Sequence, residues 1–337
     1  MNLSRRADLI SPSPTLAITA KAKALRAEGL DIIGFGAGEP DFDTPEHIKE
    51  EAKRAMDEGF TKYTPASGIE PLKKAVCKKL REDNGLDYEP AQIIISCGAK
   101  HCLYNAIQVI CDEGDEVLLP SPYWVSYPEQ IKLSGARPVI VKTGEAEGFK
   151  INPEMFRDKI TSRTKLLILN SPNNPTGAVY SREELQALAA IAVEKNVYVI
   201  SDEIYEKIIY PGTRHISIAS LNPRIKGLTL VINGVSKAYS MTGWRIGYAA
   251  GDKEIIGAMS RLQSQSTSNP DSIAQRAAVA AILGTQEPLI EMVGEFGRRR
   301  DYLVERVNKI KGFSCRNPQG AFYIFPGISG LLGKNFQ

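Results

Sequence analysis

Seven short apolar runs, separated by stretches with helical spacing, constrain this chain more than anything else in its sequence. They are Ile93 to Ser96, Glu116 to Leu119, Arg137 to Val141, Leu166 to Leu169, Val197 to Ser201, Leu228 to Ile232 and Ile246 to Ala249. Such lengths suit strands buried on both faces. Strands that alternate with helices predict an α/β fold, a mostly parallel sheet covered on both sides. Ser181-Arg182-Glu183-Glu184 is a capping box that opens a helix with Leu185, Leu188 and Ala189 on one face. Leu103, Ala106, Ile107 and Ile110 keep the helical spacing after Gly98, and Thr44-Pro45 begins a further helix with the proline at its first position.

A chain of 337 residues, 43% hydrophobic and 24% charged, is long enough for one large domain and a smaller one. The net charge of +3 is too small to suggest a nucleic-acid partner, and Arg298-Arg299-Arg300 reads as a solvated face of a charge-mixed helix. Met1 to Ile10 lacks an apolar secretion core and no membrane-length apolar run occurs, so a cytoplasmic protein with no membrane contact is expected. Cys77, Cys97, Cys102, Cys111 and Cys315 form no paired framework and read as small buried hydrophobes. His47, His101 and His215 lie far apart, and their spacing offers no metal site.

The chemistry centres on Lys237. It follows the run Leu228 to Ile232 through the small-residue turn Gly234-Val235-Ser236, and Arg245 comes eight residues later. This places an amine nucleophile beside a fixed anion site, as pyridoxal phosphate chemistry requires. In that chemistry the lysine would bond the cofactor aldehyde and the arginine fork would grip its phosphate. Asp202 follows the run Val197 to Ser201 at the carboxyl edge of the sheet, where α/β folds place ligands. A carboxylate there can pair with the cofactor's ring nitrogen, although a helix cap would also suit Asp202 taken alone. Gly98-Ala99-Lys100 joins a strand to a helix and offers backbone N–H groups and a helix dipole to a phosphate. A lysine in a first helical turn opposes that dipole, which fits either a site residue or a solvated surface lysine.

Together with Ala37-Gly38-Glu39-Pro40-Asp41-Phe42, Ser121-Pro122-Tyr123-Trp124, Ser171-Pro172-Asn173-Asn174-Pro175-Thr176-Gly177 and Ser201-Asp202-Glu203-Ile204-Tyr205, the lysine segment resembles the class I and II aminotransferases, closest to the bacterial aspartate aminotransferases. The resemblance runs from Ser13 to about Tyr323. It implies a fold-type I pyridoxal-phosphate transferase: a seven-stranded large domain over 41–285, an N-terminal arm and part of the small domain in 1–40, and a partial α+β small domain over 286–337. It implies that Asn174 and Tyr205 reach the cofactor's 3-oxygen, that Trp124 stacks on its ring and that Ser236 adds a phosphate contact. Gly38 would meet the substrate carboxylate through its backbone, and Lys100 and Ser13 would meet the distal carboxylate of an acidic substrate. Tyr63 would cross a homodimer interface to the partner's cofactor phosphate, so that two subunits share each site.

The implied reaction is ping-pong transfer of an amino group from an amino acid, L-aspartate first, to the 2-oxo acid 2-oxoglutarate. Glutamate or aspartate with prephenate is an alternative, as are β-elimination by a C–S lyase, a cofactor-sensing regulator and a truncated binding chain. Members of the family continue several dozen residues past the position of Gln337 and carry there an arginine for the substrate α-carboxylate. Arg261, Arg276, Arg298, Arg299, Arg300, Arg306 and Arg316 do not sit in that motif. The resemblance therefore leads to the expectation of a truncated or partial chain, or of a damaged substrate site, with Ile328 to Leu332 left uncovered. Such a chain would bind the cofactor and turn over aspartate poorly.

Overall fold

The computed structural model describes residues 4, 8–12, 14–36 and 38–333. Seven strands form one sheet: β1 (Ile93–Ser96), β2 (Glu116–Ser121), β3 (Arg137–Lys142), β4 (Thr164–Asn170), β5 (Tyr198–Asp202), β6 (Thr229–Gly234) and β7 (Gly247–Ala250). The order is β1-β7-β6-β5-β4-β2-β3. The contiguous stretch β6-β5-β4-β2-β3 is parallel, and β7 lies antiparallel to both β6 and β1. Each of the seven apolar runs became a strand, with ends displaced by three residues or fewer.

The helices are α1 (Pro14–Ala27), α2 (Glu46–Asp57), α3 (Glu70–Asn84), α4 (Ala99–Ile110), α5 (Ser126–Leu133), α6 (Pro153–Lys159), α7 (Arg182–Lys195), α8 (Pro223–Leu228), α9 (Lys253–Ser266), α10 (Ser272–Leu283) and α11 (Glu287–Asn308). Pro45 is the residue before α2 rather than its first helical residue. Its ψ of 144° is extended, and the helix takes up at Glu46. The capping box at Ser181 is present with both reciprocal bonds. Among the described residues no helix is long and apolar enough to cross a membrane.

Alternation along the strands sorts the core. Ile94, Leu166, Ile168, Ile200, Leu230 and Ile232 face one cluster with Leu103 and Ile107 of α4. Ile93, Ile95 and Val231 face the opposite cluster, built with α2, α3 and α10, while Leu167 and Val199 pack on Leu185 and Leu188 of α7. By the same two-residue period, Asn170 and Asp202 point to the α4 face of the sheet. Cys77, Cys102, Cys111 and Cys315 are buried and Cys97 is half-buried.

Of the arginine triplet, Arg298 and Arg299 pair with Glu295 on the surface. Arg300 departs from the solvated reading. Its guanidinium stacks 4.1 Å from the Tyr210 ring centre and donates to the Pro318 carbonyl at 3.2 Å, because the chain after α11 folds back over it.

Candidate active site

The carboxyl ends of β1, β2, β4, β5 and β6 meet along one edge, and the segments leaving them carry most of the expected site residues. Lys237 lies just beyond β6, half-buried, and its Nζ donates to the Gly38 carbonyl. Burial pushes its ammonium down to about 8. Arg245 and Lys100 repel it in the same direction, while Glu39 and Asp202 oppose them. The amine is therefore partly neutral near physiological pH, the state a nucleophile or a base needs.

Asp202 closes β5 and is 3% exposed. Tyr127 Oη donates to its Oδ2 at 2.7 Å and the Ile204 N–H to its Oδ1 at 3.2 Å. Among the described residues no cation is paired with it. Burial pushes this carboxyl up to about 6 despite those two hydrogen bonds. Asn170, at the end of β4 and in register with Asp202, donates to the Asp202 carbonyl at 3.0 Å and accepts the Asn174 N–H at 2.7 Å. It thereby fixes the loop that carries Asn174. The side chain of Asn174 reaches Tyr205, whose hydroxyl lies 2.6 Å from that of Tyr323.

The opposite wall is cationic. Gly98 caps α4 without any side-chain bond and with φ of 87°, and a Cβ there would strike the Arg245 guanidinium. Gly247 keeps β7 equally close, since a Cβ on it would overlap the Ala99 nitrogen. Arg245 is exposed and donates only to the carbonyls of Thr242 (2.7 Å) and Cys97 (3.3 Å). Lys100 Nζ sits 4.8 Å from the centre of the Trp124 ring, and burial, then Arg245, lowers its pKa. Among the described residues Lys100, Lys237 and Arg245 have no carboxylate partner, so three cations converge on a helix N-terminus that has no side-chain cap. This donor set fits a phosphate, and the unpaired Asp202 carboxylate fits a protonated ring nitrogen. Pyridoxal phosphate carries both.

The remaining expected residues fall as follows. Trp124 packs edge-on against Tyr127, ring centres 5.4 Å apart. Ser236 is buried and its carbonyl accepts the Met241 N–H. A Cβ on Gly38 would come to 3.0 Å from the Tyr323 hydroxyl. Tyr63 is 91% exposed and stands outside this cluster, and Ser13 lies outside the described residues.

The chain matches the family model "Aminotransferase class I and II" over residues 30–337. It belongs to the class I and II aminotransferases. An aspartate aminotransferase of Geobacillus stearothermophilus is 56% identical over 326 residues, 97% of this chain and 83% of that one. An aspartate/prephenate aminotransferase of Cereibacter sphaeroides is 52% identical over 326 residues, 96% of this chain and 82% of that one. The solved aspartate aminotransferase of Thermus thermophilus with maleate superimposes with a TM-score of 0.93 at 48% identity, covering 97% of this chain and 85% of that one.

This aminotransferase also contains residues that sequence reading missed. Tyr127, Asn170, Phe322 and Tyr323 reach the site through contacts far apart in sequence. Only Asn170 left a signal, as a polar residue closing an apolar run. Histidine spacing likewise hid the meeting of Glu203, Glu206 and His215, whose ligand atoms lie within 4.8 Å of one another. A cation is already supplied there, because Lys79 Nζ is in contact with Glu206, so the group is a buried ion-pair network.

Proposed function

We propose that this aminotransferase takes the amino group of L-aspartate with pyridoxal phosphate as cofactor and passes it to 2-oxoglutarate, in two half-reactions on one site. The observation that carries this reading is the pairing of a depressed lysine amine with a buried, cation-free carboxylate in one pocket. Lys237 would bind the cofactor covalently. Arg245, Ser236 and the N–H groups at Gly98, Ala99 and Lys100 hold the phosphate, with Tyr63 of a second copy reaching in across a homodimer interface. Asp202 would hold the proton on the ring nitrogen, Asn174 and Tyr205 would bond the 3-oxygen, and Trp124 would cover the ring. Bound there, the cofactor supplies an electron-withdrawing ring that acidifies the substrate Cα–H.

Lys237, whose amine burial holds at about 8, would be neutral often enough near physiological pH to take the proton from the substrate Cα. Gly38 leaves room for the substrate carboxylate beside its backbone. Lys100 would meet the distal carboxylate. A dicarboxylate preference is supported by the maleate, itself a dicarboxylate, in the Thermus enzyme. Residues 41–285 form the cofactor-bearing body, and the segments before and after belong to a smaller domain. The name of the Cereibacter relative favours a second reading, with prephenate as acceptor in the same dicarboxylate pocket.

The test is the visible spectrum of the purified chain with pyridoxal phosphate, before and after aspartate, with Lys237→Ala as control. The expected result is a band that depends on Lys237 and is bleached by aspartate, then restored by 2-oxoglutarate. A band indifferent to aspartate refutes the substrate assignment, and no Lys237-dependent band refutes the site. Replacing 2-oxoglutarate by prephenate separates the two acceptors.

A further inference from the structure

The chain after α11 returns to the sheet edge and is bolted there. The N–H groups of Gln319 and Gly320 both donate to the Gly177 carbonyl at 3.0 Å, Ala321 N–H to Ile208 O at 2.9 Å, and Tyr210 N–H to Gln319 O at 3.1 Å. Tyr210 Oη adds a bond to the Ala321 carbonyl at 2.6 Å. The contact tolerates no extra atom: a Cβ on Gly177 would lie 2.5 Å from Pro318, and one on Gly320 would lie 2.9 Å from the Ile208 carbonyl. Ala321 is fully buried with φ of 56°, a left-handed conformation that costs a residue with a side chain on the order of 1 kcal/mol. Such a conformation persists only where its surroundings impose it.

The strained turn aims Phe322 and Tyr323 at Tyr205. The ring centres stand 5.4 and 5.6 Å from that of Tyr205, both edge-on, and the two tyrosine hydroxyls are 2.6 Å apart. Lys237 Nζ lies 6.0 Å from the Tyr205 ring centre and 5.7 Å from that of Phe322. The groups that face this pair are Asp202, Tyr127, Lys237 and Asn174 around Tyr205, and Gly38 beside Tyr323.

We propose that Tyr323 is a positioning residue for the transamination site: it donates its hydroxyl proton to the Tyr205 oxygen and so directs the Tyr205 proton to the cofactor's 3-oxygen. This rests on the reading of Tyr205 given above. Burial raises the pKa of both phenols, that of Tyr323 to about 12, so each keeps its proton through neutral pH. With one proton spent between the two oxygens, the other is free for a third acceptor. A phenol that accepts one hydrogen bond is polarised and donates more strongly. A stronger donor to the 3-oxygen competes with the proton of the lysine-linked nitrogen for that oxygen, and lowers the pH at which the nitrogen deprotonates.

The readout is the pH midpoint of the absorbance change of the cofactor-loaded protein without substrate, measured for the wild type, Tyr205→Phe, Tyr323→Phe and the double variant. Tyr205→Phe should raise the midpoint by about 1 to 2 pH units, the loss of a charge-assisted hydrogen bond. Tyr323→Phe should raise it by roughly 0.3 pH unit, the share a polarising neighbour contributes. The double variant should match Tyr205→Phe alone, because Tyr323 acts through that hydroxyl. An unmoved midpoint in Tyr323→Phe beside a moved one in Tyr205→Phe overturns the proposal and leaves the role of Tyr205 standing. Additive shifts in the double variant also overturn it. Unmoved midpoints in both single variants overturn the proposal and the Tyr205 reading together. A merely structural Tyr323 would change the unfolding midpoint and leave this pH midpoint in place.

Discussion

Asp202→Asn should stabilise the cofactor-free protein at neutral pH while removing its chemistry. The carboxyl is 3% exposed, and burial lifts its pKa to about 6 against 3.8 for the free side chain. Between about pH 4 and pH 6 the folded state therefore keeps a proton that the unfolded chain has released, so stability falls as pH rises through that window. A displacement of about two pH units, at about 1.4 kcal/mol each, makes about 3 kcal/mol of destabilisation at pH 7. Asparagine removes this ionisation. Its amide oxygen still accepts the Ile204 N–H, and its NH2 donates to Tyr127, whose own proton is left without an acceptor at about 1–3 kcal/mol. That second cost is the same at every pH. The signature is thus a gain of the variant over the wild type of about 3 kcal/mol between pH 4 and pH 7, read from urea unfolding of protein stripped of cofactor. A difference that stays flat over that range would refute the assignment of a buried, uncompensated carboxylate. Saturating pyridoxal phosphate should return the advantage to the wild type, by giving Asp202 the cation it lacks.

Gly98→Ala puts a Cβ against the Arg245 guanidinium at a φ of 87°, and cofactor affinity should fall at least about tenfold in a spectroscopic titration. Lys79→Met strips the cation from buried Glu206, which Lys79 and His215 hold at about 2 against the effect of burial. The folded carboxylate is fully charged at pH 7, so the variant should lose about 3–5 kcal/mol there in urea unfolding, with the loss shrinking below about pH 4 as Glu206 takes up a proton. On the proposed homodimer, mixing Lys237→Ala and Tyr63→Ala subunits should restore about a quarter of wild-type turnover, since half the dimers would be hybrids and each hybrid would hold one intact shared site. Turnover no greater than the sum of the two parents would mean that Tyr63 serves no partner.

Local patterns carried the sheet. The inner strands announced themselves because burial on both faces demands an apolar run, the edge strand β3 showed only a short one between charged ends, and Asp202, Lys237 and Gly98 could be placed because strand ends define the edge where they stand. Strand order was less legible: nothing in Ile246 to Ala249 says that β7 runs against its neighbours, since both directions need the same side chains. Pairings between distant residues were invisible. The bond from Tyr127 to Asp202 spans 75 residues and that between Tyr205 and Tyr323 spans 118, and periodicity holds no information about either. Arg300 was misjudged for the same reason, because its stacking on Tyr210 depends on where the chain goes after α11.

The anchoring of Gln319 to Ala321 on Gly177 and Ile208 joins a late-made segment to loops that leave the sheet much earlier in the chain. As the chain is synthesised, every strand of the sheet has been made about seventy residues before Tyr323 is added. In that interval Lys237, Asp202 and the Gly98 turn can already stand in place, with Phe322 and Tyr323 still absent from the front of the pocket. On the proposed cofactor reading, a pyridoxal phosphate arriving in that interval would meet Lys237 and the Gly98 turn before Phe322 and Tyr323 are added.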